Sequence, residues 1–555
     1  MASGTLEAST TARAALTGAT LVLATLASAQ FLMTLDTSVM NVAIATVAKD
    51  CHTTVSGVQT AITLYALVMA ALMITGGKIG ALVGRKRAFS IGCVIYGAGS
   101  LATSLAHSLT VLIIGWSFLE GIGAALILPA VVALVAANFP AKARPKAYGL
   151  VAAAGAIAVA VGPLIGGAFT SYLSWRLVFL GEVLIVIAIL LLSRGIVDTP
   201  PGERPKLDVV GVILSASGLS LAVFGVLKSG TWGWIHPKSG APDLAGISLT
   251  IWLILGGIFL LWLFFEWESR REARREEPLV RRALFQVPQL RGGLRMFFFQ
   301  YFIQSGIFFV VPLFLSVSLG LSAIATGVRL LPLSITLLAS AIGIPRLFPD
   351  VSPRRVVRCG LLAMFLGDVV LLGAIDENAT ASIVFVPLLL LGLGVGALAS
   401  QLGSVTVSSV PDEQSPEVGG LQNTATNLGA ALGTALAGSL LIATLTSVFL
   451  TGIQNNPSVP PSVSKQASTK LAGGAPFLSD ADLEKALGDA HVPKKTSDAI
   501  VNENSKARLV ALQAALALVG LVALVALFGA GGIPTKQPKS APADLPRPEP
   551  RIVQG

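Results

Sequence analysis

Fourteen runs of roughly twenty mostly apolar residues, each long enough to cross the hydrocarbon of a bilayer as a helix, recur along this chain. They lie near 19–46, 57–80, 88–107, 110–138, 147–171, 175–194, 208–228, 246–266, 293–318, 325–345, 356–375, 381–408, 418–449 and 508–531. In lipid, every backbone N–H and C=O must find a partner inside the protein, which leaves such a run little choice but the α-helix. Composition agrees. Of 555 residues, 54% are hydrophobic and 12% charged, with a mean hydropathy of +0.78, whereas a soluble domain carries about 25% charged residues. The expected fold class is an all-α integral membrane protein with 14 transmembrane helices. No A-x-A cleavage site follows the first run at the usual distance, so no removable signal peptide is expected.

The net charge of +10 does not point to nucleic acid, because the basic residues stand between apolar runs rather than on a soluble face. Loops rich in Lys and Arg stay on the cytoplasmic side. With the N-terminus inside, the cytoplasmic connections hold Arg85–Lys86–Arg87, Lys142/Arg144/Lys146, Arg204/Lys206, the Arg270–Arg295 cluster and Arg354/Arg355/Arg358, and the tail adds Lys536, Lys539, Arg547 and Arg551. The expectation is a multi-pass plasma-membrane protein with both termini cytoplasmic. Its Ala/Gly/Val/Arg-rich composition suits a GC-rich bacterial genome.

Three segments fall outside the spans. Residues 267–292 read as a basic cytoplasmic linker touching anionic lipid, with the character of an interfacial amphipathic helix. Residues 450–506 form an external loop, Pro/Ser/Gly-rich at first, with a short helix over 478–487 begun by Ser479 or Asp480. The tail after Pro534 is Pro-rich and reads as disordered.

Four acids lie deep in the spans: Asp36, Glu120, Glu182 and Asp368. A charge at bilayer depth costs roughly 3 kcal/mol on insertion scales. Burial favours the neutral form of a carboxyl group, so such an acid can bind and release protons. If its exposure switches between the two sides, it carries a proton across, and a cationic substrate competing for it would be exchanged. The alternatives are structural: for Asp36 a hydrogen bond from Ser or Thr of a neighbouring helix or the cap of a local break, for Glu120 a basic partner or a backbone bond, for Glu182 a bond to the adjacent bundle, and for Asp368 a neutral acid facing lipid. Arg329 reads as an interfacial anchor rather than a ligand. In the run "MFFFQYFIQSGIFF" (Met296 to Phe309), Gln300 and Gln304 stand one turn apart and could line a lipophilic cavity with Asn41, Asn423 and Asn427, or could bond between helices.

Several chemistries find no support. No GxxxxGK[ST], HExxH or GxSxG motif occurs, so neither a nucleotide motor nor an enzyme is expected. Cys51, Cys93 and Cys359 are far apart, and His52, His107, His236 and His491 fall in expected external loops, so no metal is expected. No cofactor is expected either.

Two stretches carry glycine patterns. "GGKIGALVGRKRAF" (Gly76 to Phe89) has Gly77, Gly80 and Gly84 for close helix approach and a tight turn, followed by Arg85, Lys86 and Arg87. "GAIAVAVGPLIGGAF" (Gly155 to Phe169) has Gly162–Pro163 to bend the helix, with Gly155, Gly166 and Gly167 forming a smooth face. Together with "LDTSVMNVAIA" (Leu35 to Ala45), "FLEGIGAALILPA" (Phe118 to Ala130), "RLLPL" (Arg329 to Leu333) and "GLQNTATNLGAALGTALAG" (Gly420 to Gly438), these motifs make residues 18–535 resemble the major facilitator superfamily, and within it the fourteen-helix drug:proton antiporters. Gly76–Phe89 is similar to that family's motif A and Gly155–Phe169 to its antiporter motif C.

The resemblance implies two pseudo-symmetric six-helix bundles with two inserted helices: a cytoplasmic N-terminal tail (1–18), an N-terminal bundle (19–194), the inserted pair with the basic linker (195–292), a C-terminal bundle (293–531) that includes the loop 450–506, and a cytoplasmic C-terminal tail (532–555). It implies alternating access around a midplane site and export of lipophilic small molecules, cationic or neutral, in exchange for protons. One proton crossing 100 mV supplies about 2.3 kcal/mol. The chain departs from the pattern in three places: Ala81 replaces the motif A acid, Ser117 the fourth-helix arginine with Glu120 in place of Gln, and Thr60 an aromatic of the second span. Rival readings are a dedicated exporter of one endogenous product, such as an antibiotic or lipid, and a non-transporting membrane sensor or scaffold.

Overall fold

The computed structural model describes residues 2–139, 143–198, 207–238, 240–411, 414–471 and 474–537. Its helices are α1 (Ala2–Asp50), α2 (Val55–Val83), α3 (Arg85–Ser104), α4 (Leu109–Asn138), α5 (Arg144–Tyr172), α6 (Arg176–Leu192), α7 (Val209–Trp232), α8 (Leu249–Ala273), α9 (Pro288–Ser318), α10 (Ala323–Leu347), α11 (Pro353–Ala374), α12 (Ala381–Val407), α13 (Ser415–Asn455), the short α14 (Pro461–Lys470) and α15 (Asp480–Asp489), and α16 (Lys494–Gly529). Thirteen are long and apolar enough to cross a membrane. The fourteenth, α3, is diluted by Gly, Ser and Thr but has 20 residues and packs among the others against α4 and α6.

Helix starts follow capping chemistry. The side chains of Thr54, Ser108, Asp208 and Ser322 accept from the backbone N–H groups of Gly57, Val111, Gly211 and Ala325, at the starts of α2, α4, α7 and α10. The α2–α3 turn hinges on Gly84, whose φ of 100° only glycine adopts without strain.

One set of turns gathers at the end that carries Arg85–Arg87, here called the basic end. Lys86 Nζ donates to the Ile196 carbonyl (2.8 Å) and Asn138 Nδ2 to the Val197 carbonyl (3.1 Å). On the second half, Arg354 N–H donates to the Pro534 carbonyl (3.1 Å). At the opposite end, Arg176 ties three turns of the first half together through Asp50 (3.1 Å) and the Ala106 carbonyl (2.7 Å).

Within α1–α6, α1 lies on α5, α2 on α4, and α3 between α4 and α6. The second half repeats the scheme: α9 lies on α13 and α16, α10 on α12, and α11 on α12 and α16. The halves meet through two helix pairs, α2 with α13 and α5 with α10, and α7 seats its α7–α8 pair against α2 and α13. Small residues let the backbones close in. A Cβ on Gly167 would stand 2.7 Å from the Ala323 carbonyl, and one on Gly166 2.9 Å from Val39 Cα. Gly162 faces Ser38, and Gly155 faces Gln30.

The described hydrogen bonds between the halves lie from mid-depth to the opposite end. Ser334 Oγ donates to the Val159 carbonyl (3.4 Å), Ile324 N–H to Ser171 Oγ (2.9 Å) and Gln59 Nε2 to the Thr434 carbonyl (3.1 Å). Toward the basic end the described contacts are apolar, with Ile74 beside Gly420 and Val132 beside Gly419.

Helix α1 begins at Ala2, and its candidate membrane span begins at Ala19. Two expectations change. The linker is not an amphipathic helix. Its Leu279 N–H is taken by Glu268 Oε2 (2.7 Å), and Leu279, Val280 and Leu284 are buried with Leu290, Val418 and Leu421. The loop 450–506 is mostly helical, with α13 and α16 reaching into it around α14 and α15. Ser479 does cap α15, accepting from Asp482 N–H. Phe477 is buried, and Arg508, 1% exposed, donates to the Leu478 carbonyl (2.6 Å) and Asp480 (2.7 Å). The loop thereby covers a cavity of about 630 Å³ walled by Lys49, Thr53, Ser316 and Leu319. The expected disordered tail lies outside the described residues from 538 onward.

Replacing Arg508 with Met strands the Leu478 carbonyl and frees Asp480. The expected outcome is a stability loss of about 1–3 kcal/mol with faster proteolysis between 474 and 492, measured by thermal unfolding and limited digestion.

Candidate functional site

Three of the four intramembrane acids converge. Asp36 on α1, Glu120 on α4 and Glu182 on α6 each place a carboxylate oxygen within 4.8 Å of the others, and all are at most 1% exposed. Polar side chains of the first half hold one oxygen of each. Trp116 Nε1 donates to Asp36 Oδ1 (2.6 Å), Thr103 Oγ1 to Glu120 Oε1 (2.9 Å), and Ser100 Oγ to Glu182 Oε2 (3.2 Å), with Tyr96 Oη at 3.5 Å. The second oxygen of each acid, Asp36 Oδ2, Glu120 Oε2 and Glu182 Oε1, has no hydrogen-bond partner among the described residues. None of the three acids forms an ion pair there.

Local backbone makes this convergence possible. Residues Ile113–Glu120 of α4 form a π-helical turn, a device that re-aims side chains and recurs at functional sites. Trp116 and Glu120, one turn apart, both reach the cluster. Ser117, in the place of the family's arginine, instead donates to the Ala61 carbonyl of α2 (2.8 Å). Gly99 on α3 leaves the room that Glu120 occupies, because a Cβ there would stand 2.6 Å from Glu120 Cγ.

A second feature lies between the halves. A cavity of about 200 Å³ is lined from α1 by Gln30, Thr34, Thr37, Ser38 and Asn41, from α2 by Ile62, Tyr65 and Met69, from α9 by Tyr301, Gln304, Ser305 and Phe308, and from α13 by Asn423, Thr426, Asn427 and Thr434. Its volume is below the roughly 300–1,000 Å³ of drug-sized sites, so this conformation holds it partly closed.

The structure sorts the remaining candidates. Asn41, Gln304, Asn423 and Asn427 line the cavity. Gln300 does not: it is buried against α12, where its Nε2 faces the Val395 carbonyl (3.5 Å). The 40° that separates residues i and i+4 on a helix is enough to put it on the packing side. Asp368 joins neither feature. It is buried between α11 and α16, with Oδ2 against Gly520 and no hydrogen bond among the described residues. Arg329 is exposed on α10.

In the motif A loop, Gly77 lies beside Pro129 and Gly80 beside Ala88. Arg85 reaches the Ala133 carbonyl (3.4 Å), and Lys86 the Arg194 and Ile196 carbonyls; Arg87 lies by Gly84. The acid missing at Ala81 has a local counterpart: Asp198, after α6, accepts from Lys86 N–H (3.2 Å) at the start of α3. Pro163 presents its carbonyl to Gly327 of α10.

Sequence reasoning passed over Tyr65, Tyr96, Ser100, Thr103 and Trp116. A signal existed for part of this set. Tyr96, Ser100 and Thr103 recur at helical spacing on α3, as do Gln30, Thr34, Ser38 and Asn41 on α1, marking polar stripes on otherwise apolar helices. Replacing Trp116 with Phe leaves Asp36 Oδ1 unpaired. The expected outcome is a loss of about 1–3 kcal/mol, measured as a lower midpoint of thermal unfolding, with no such loss when Asp36→Leu is already present.

The model of the Major Facilitator Superfamily matches residues 26–434. The tetracenomycin C resistance and export protein of Streptomyces glaucescens is 30% identical over 425 residues, 75% of each chain. The multidrug efflux pump LfrA of Mycolicibacterium smegmatis is 26% identical over 475 residues, 85% of this chain and 89% of that one. Among solved structures, a bacterial homolog of the human lysosomal transporter Spinster, in an inward-facing and unoccupied conformation, aligns with a TM-score of 0.56 at 15% identity, covering 93% of this chain and 98% of its own. With two six-helix halves around a central cavity and a family match over most of its length, this chain belongs to the Major Facilitator Superfamily.

Proposed function

We propose that this transporter exports lipophilic small molecules across a bacterial plasma membrane in exchange for protons, with the basic end and both termini cytoplasmic. The observation that carries this reading is the cluster of Asp36, Glu120 and Glu182. Like charges this close, in a medium of low dielectric and with no paired cation among the described residues, repel too strongly for all three to be ionised together. The cluster therefore suits a proton store. The bonds between the halves from mid-depth to the opposite end, with apolar contact at the basic end, suit a state that opens to the cytoplasm. Rocking the halves about α2–α13 and α5–α10 would then expose the cavity to the other side, driven by the proton motive force and with no cofactor. Relatives named for efflux and for antibiotic export support export as the direction.

A second reading, a dedicated exporter of one endogenous product, is favoured by one observation. Several relatives carry the name of a single antibiotic, among them the probable actinorhodin transporter of Streptomyces coelicolor, 29% identical over 459 residues. The two readings differ in the breadth of substrates accepted. An expected lipid contact of the basic linker rests on its arginines alone, since Leu279, Val280 and Leu284 turn inward.

The test is uptake into everted membrane vesicles energised to an acid interior, using a panel of neutral and cationic fluorescent lipophiles. Accumulation by the wild type should collapse with an uncoupler and fall at least ten-fold in Asp36→Asn at equal expression. Uncoupler-insensitive accumulation would remove the proton from the mechanism, and wild-type rates in Asp36→Asn would remove this aspartate from coupling.

A further inference from the structure

The cavity and the carboxyl cluster are neighbours that do not touch. None of the described residues lining the cavity is charged, although three acids lie a side chain away. Helix geometry on α1 accounts for the separation. At about 100° per residue, Thr34 and Ser38 point roughly 160° away from Asp36. The polar stripe therefore faces α5 and the cavity, while Asp36 faces α4.

Between the two compartments stands Tyr65 of α2. One face of its environment is the cavity. Its ring stacks on Trp116 with centroids 5.0 Å apart and planes 7° from parallel, and Trp116 Nε1 is bonded to Asp36. Trp116 is fully buried. Tyr65 is buried, and its hydroxyl lies beside Asp36.

A cation entering this cavity would lose its water and meet only amide and hydroxyl dipoles and ring faces. Unpaired burial of a charge is strongly unfavourable, and a cation–π contact returns about 0.5–2 kcal/mol. A neutral molecule with hydrogen-bonding groups and an apolar body would meet partners for both. Gln304 Oε1 is buried without a hydrogen bond among the described residues, which leaves an acceptor open for such a ligand.

Building on the export reading, we propose that the cavity takes an uncharged, hydrogen-bonding amphipath, and that the carboxyl cluster acts on it only through the stacked pair Trp116–Tyr65. A change in the charge of the cluster shifts Trp116, which is tied to Asp36, and the Tyr65 ring moves with it at the cavity wall. Tyr65 is a positioning residue and a partition, and a substrate need not meet a carboxylate to be exchanged for a proton.

The test uses the purified full chain in lipid nanodiscs and a set of matched amphipaths, each made as an N,N-dimethyl amide and as its trimethylammonium counterpart. Binding is read by equilibrium titration. For the wild type, amide members should bind at least ten-fold tighter than their ammonium partners. In Asp36→Asn the amide Kd should move less than three-fold although transport is lost. Tyr65→Ala breaches the partition, so ammonium members should gain at least ten-fold in affinity, and that gain should vanish in Tyr65→Ala/Asp36→Asn. Tyr65→Phe keeps the ring and should restore the wild-type preference, a rescue that general misfolding would not produce. Tighter ammonium binding by the wild type, removed by Asp36→Asn, would overturn the proposal and leave proton-driven export standing. Absence of binding by every pair, together with absence of dye accumulation in vesicles, would overturn both.

Discussion

Three carboxyl groups packed within 4.8 Å of one another in the dry interior of a six-helix bundle set the terms for the first half of this molecule. Each needs a donor, and the donors come from different helices: Trp116 from α4, Thr103, Ser100 and Tyr96 from α3. Glu120 needs space, which Gly99 provides, and a changed direction, which the π-helical turn of α4 provides. A buried polar network of this kind rigidifies its surroundings where it is satisfied and leaves chemistry available where it is not. Here one oxygen of each acid is bonded and the other is unpartnered among the described residues. The same group is thus anchored as a structural element and open to a proton.

The second half is built differently. Among the described residues its one deeply buried acid of the span interiors, Asp368, stands alone between α11 and α16, and its cavity wall is made of amides, hydroxyls and aromatic rings. Pseudo-symmetry of the backbone therefore does not extend to chemistry. Charge is concentrated in one half, and the other supplies neutral surface. Between them, glycine-mediated backbone contacts on α5 and α10 and the Gln59–Thr434 bond hold one end together. The contrast between polar bonds at that end and apolar contacts at the basic end is what a rocking motion requires, because apolar surfaces can part and re-form without leaving donors stranded.

Substitutions at family positions also have local explanations. With Ala81 in place of the motif A acid, the loop is still pinned, but by Asp198 at the start of α3 and by the carbonyls after α6 that Lys86 reaches. All of these partners follow directly on α6, and none lies in the second half. The loop is thereby fastened within one half and not across the boundary between halves. Ser117, in the arginine's place, makes a neutral α4–α2 bond, consistent with a cluster that has no internal cation among the described residues.

Much was legible in the sequence because hydrophobic length and helical period are local properties. Fourteen spans, the turn at Gly84, the cap at Ser479, the small-residue face of α5 and the depth of each acid all follow from a few neighbouring residues and the intolerance of lipid for unpaired backbone. What no local pattern contains is which helices become neighbours. That Asp36, Glu120 and Glu182, 146 residues apart at the extremes, share one site while Asp368 does not is decided by the order in which α1, α3, α4 and α6 pack. So is the fate of Gln300, turned into a helix contact one turn from Gln304, and the burial of the linker's Leu279 and Val280 where a surface helix was expected. That this chain spans a membrane with acids at depth is written in its residues, because transfer energies act residue by residue. That Asp36, Glu120 and Glu182 stand behind Tyr65 and Trp116, outside the cavity, comes from the packing of the whole bundle, which sets the direction of each side chain between helices.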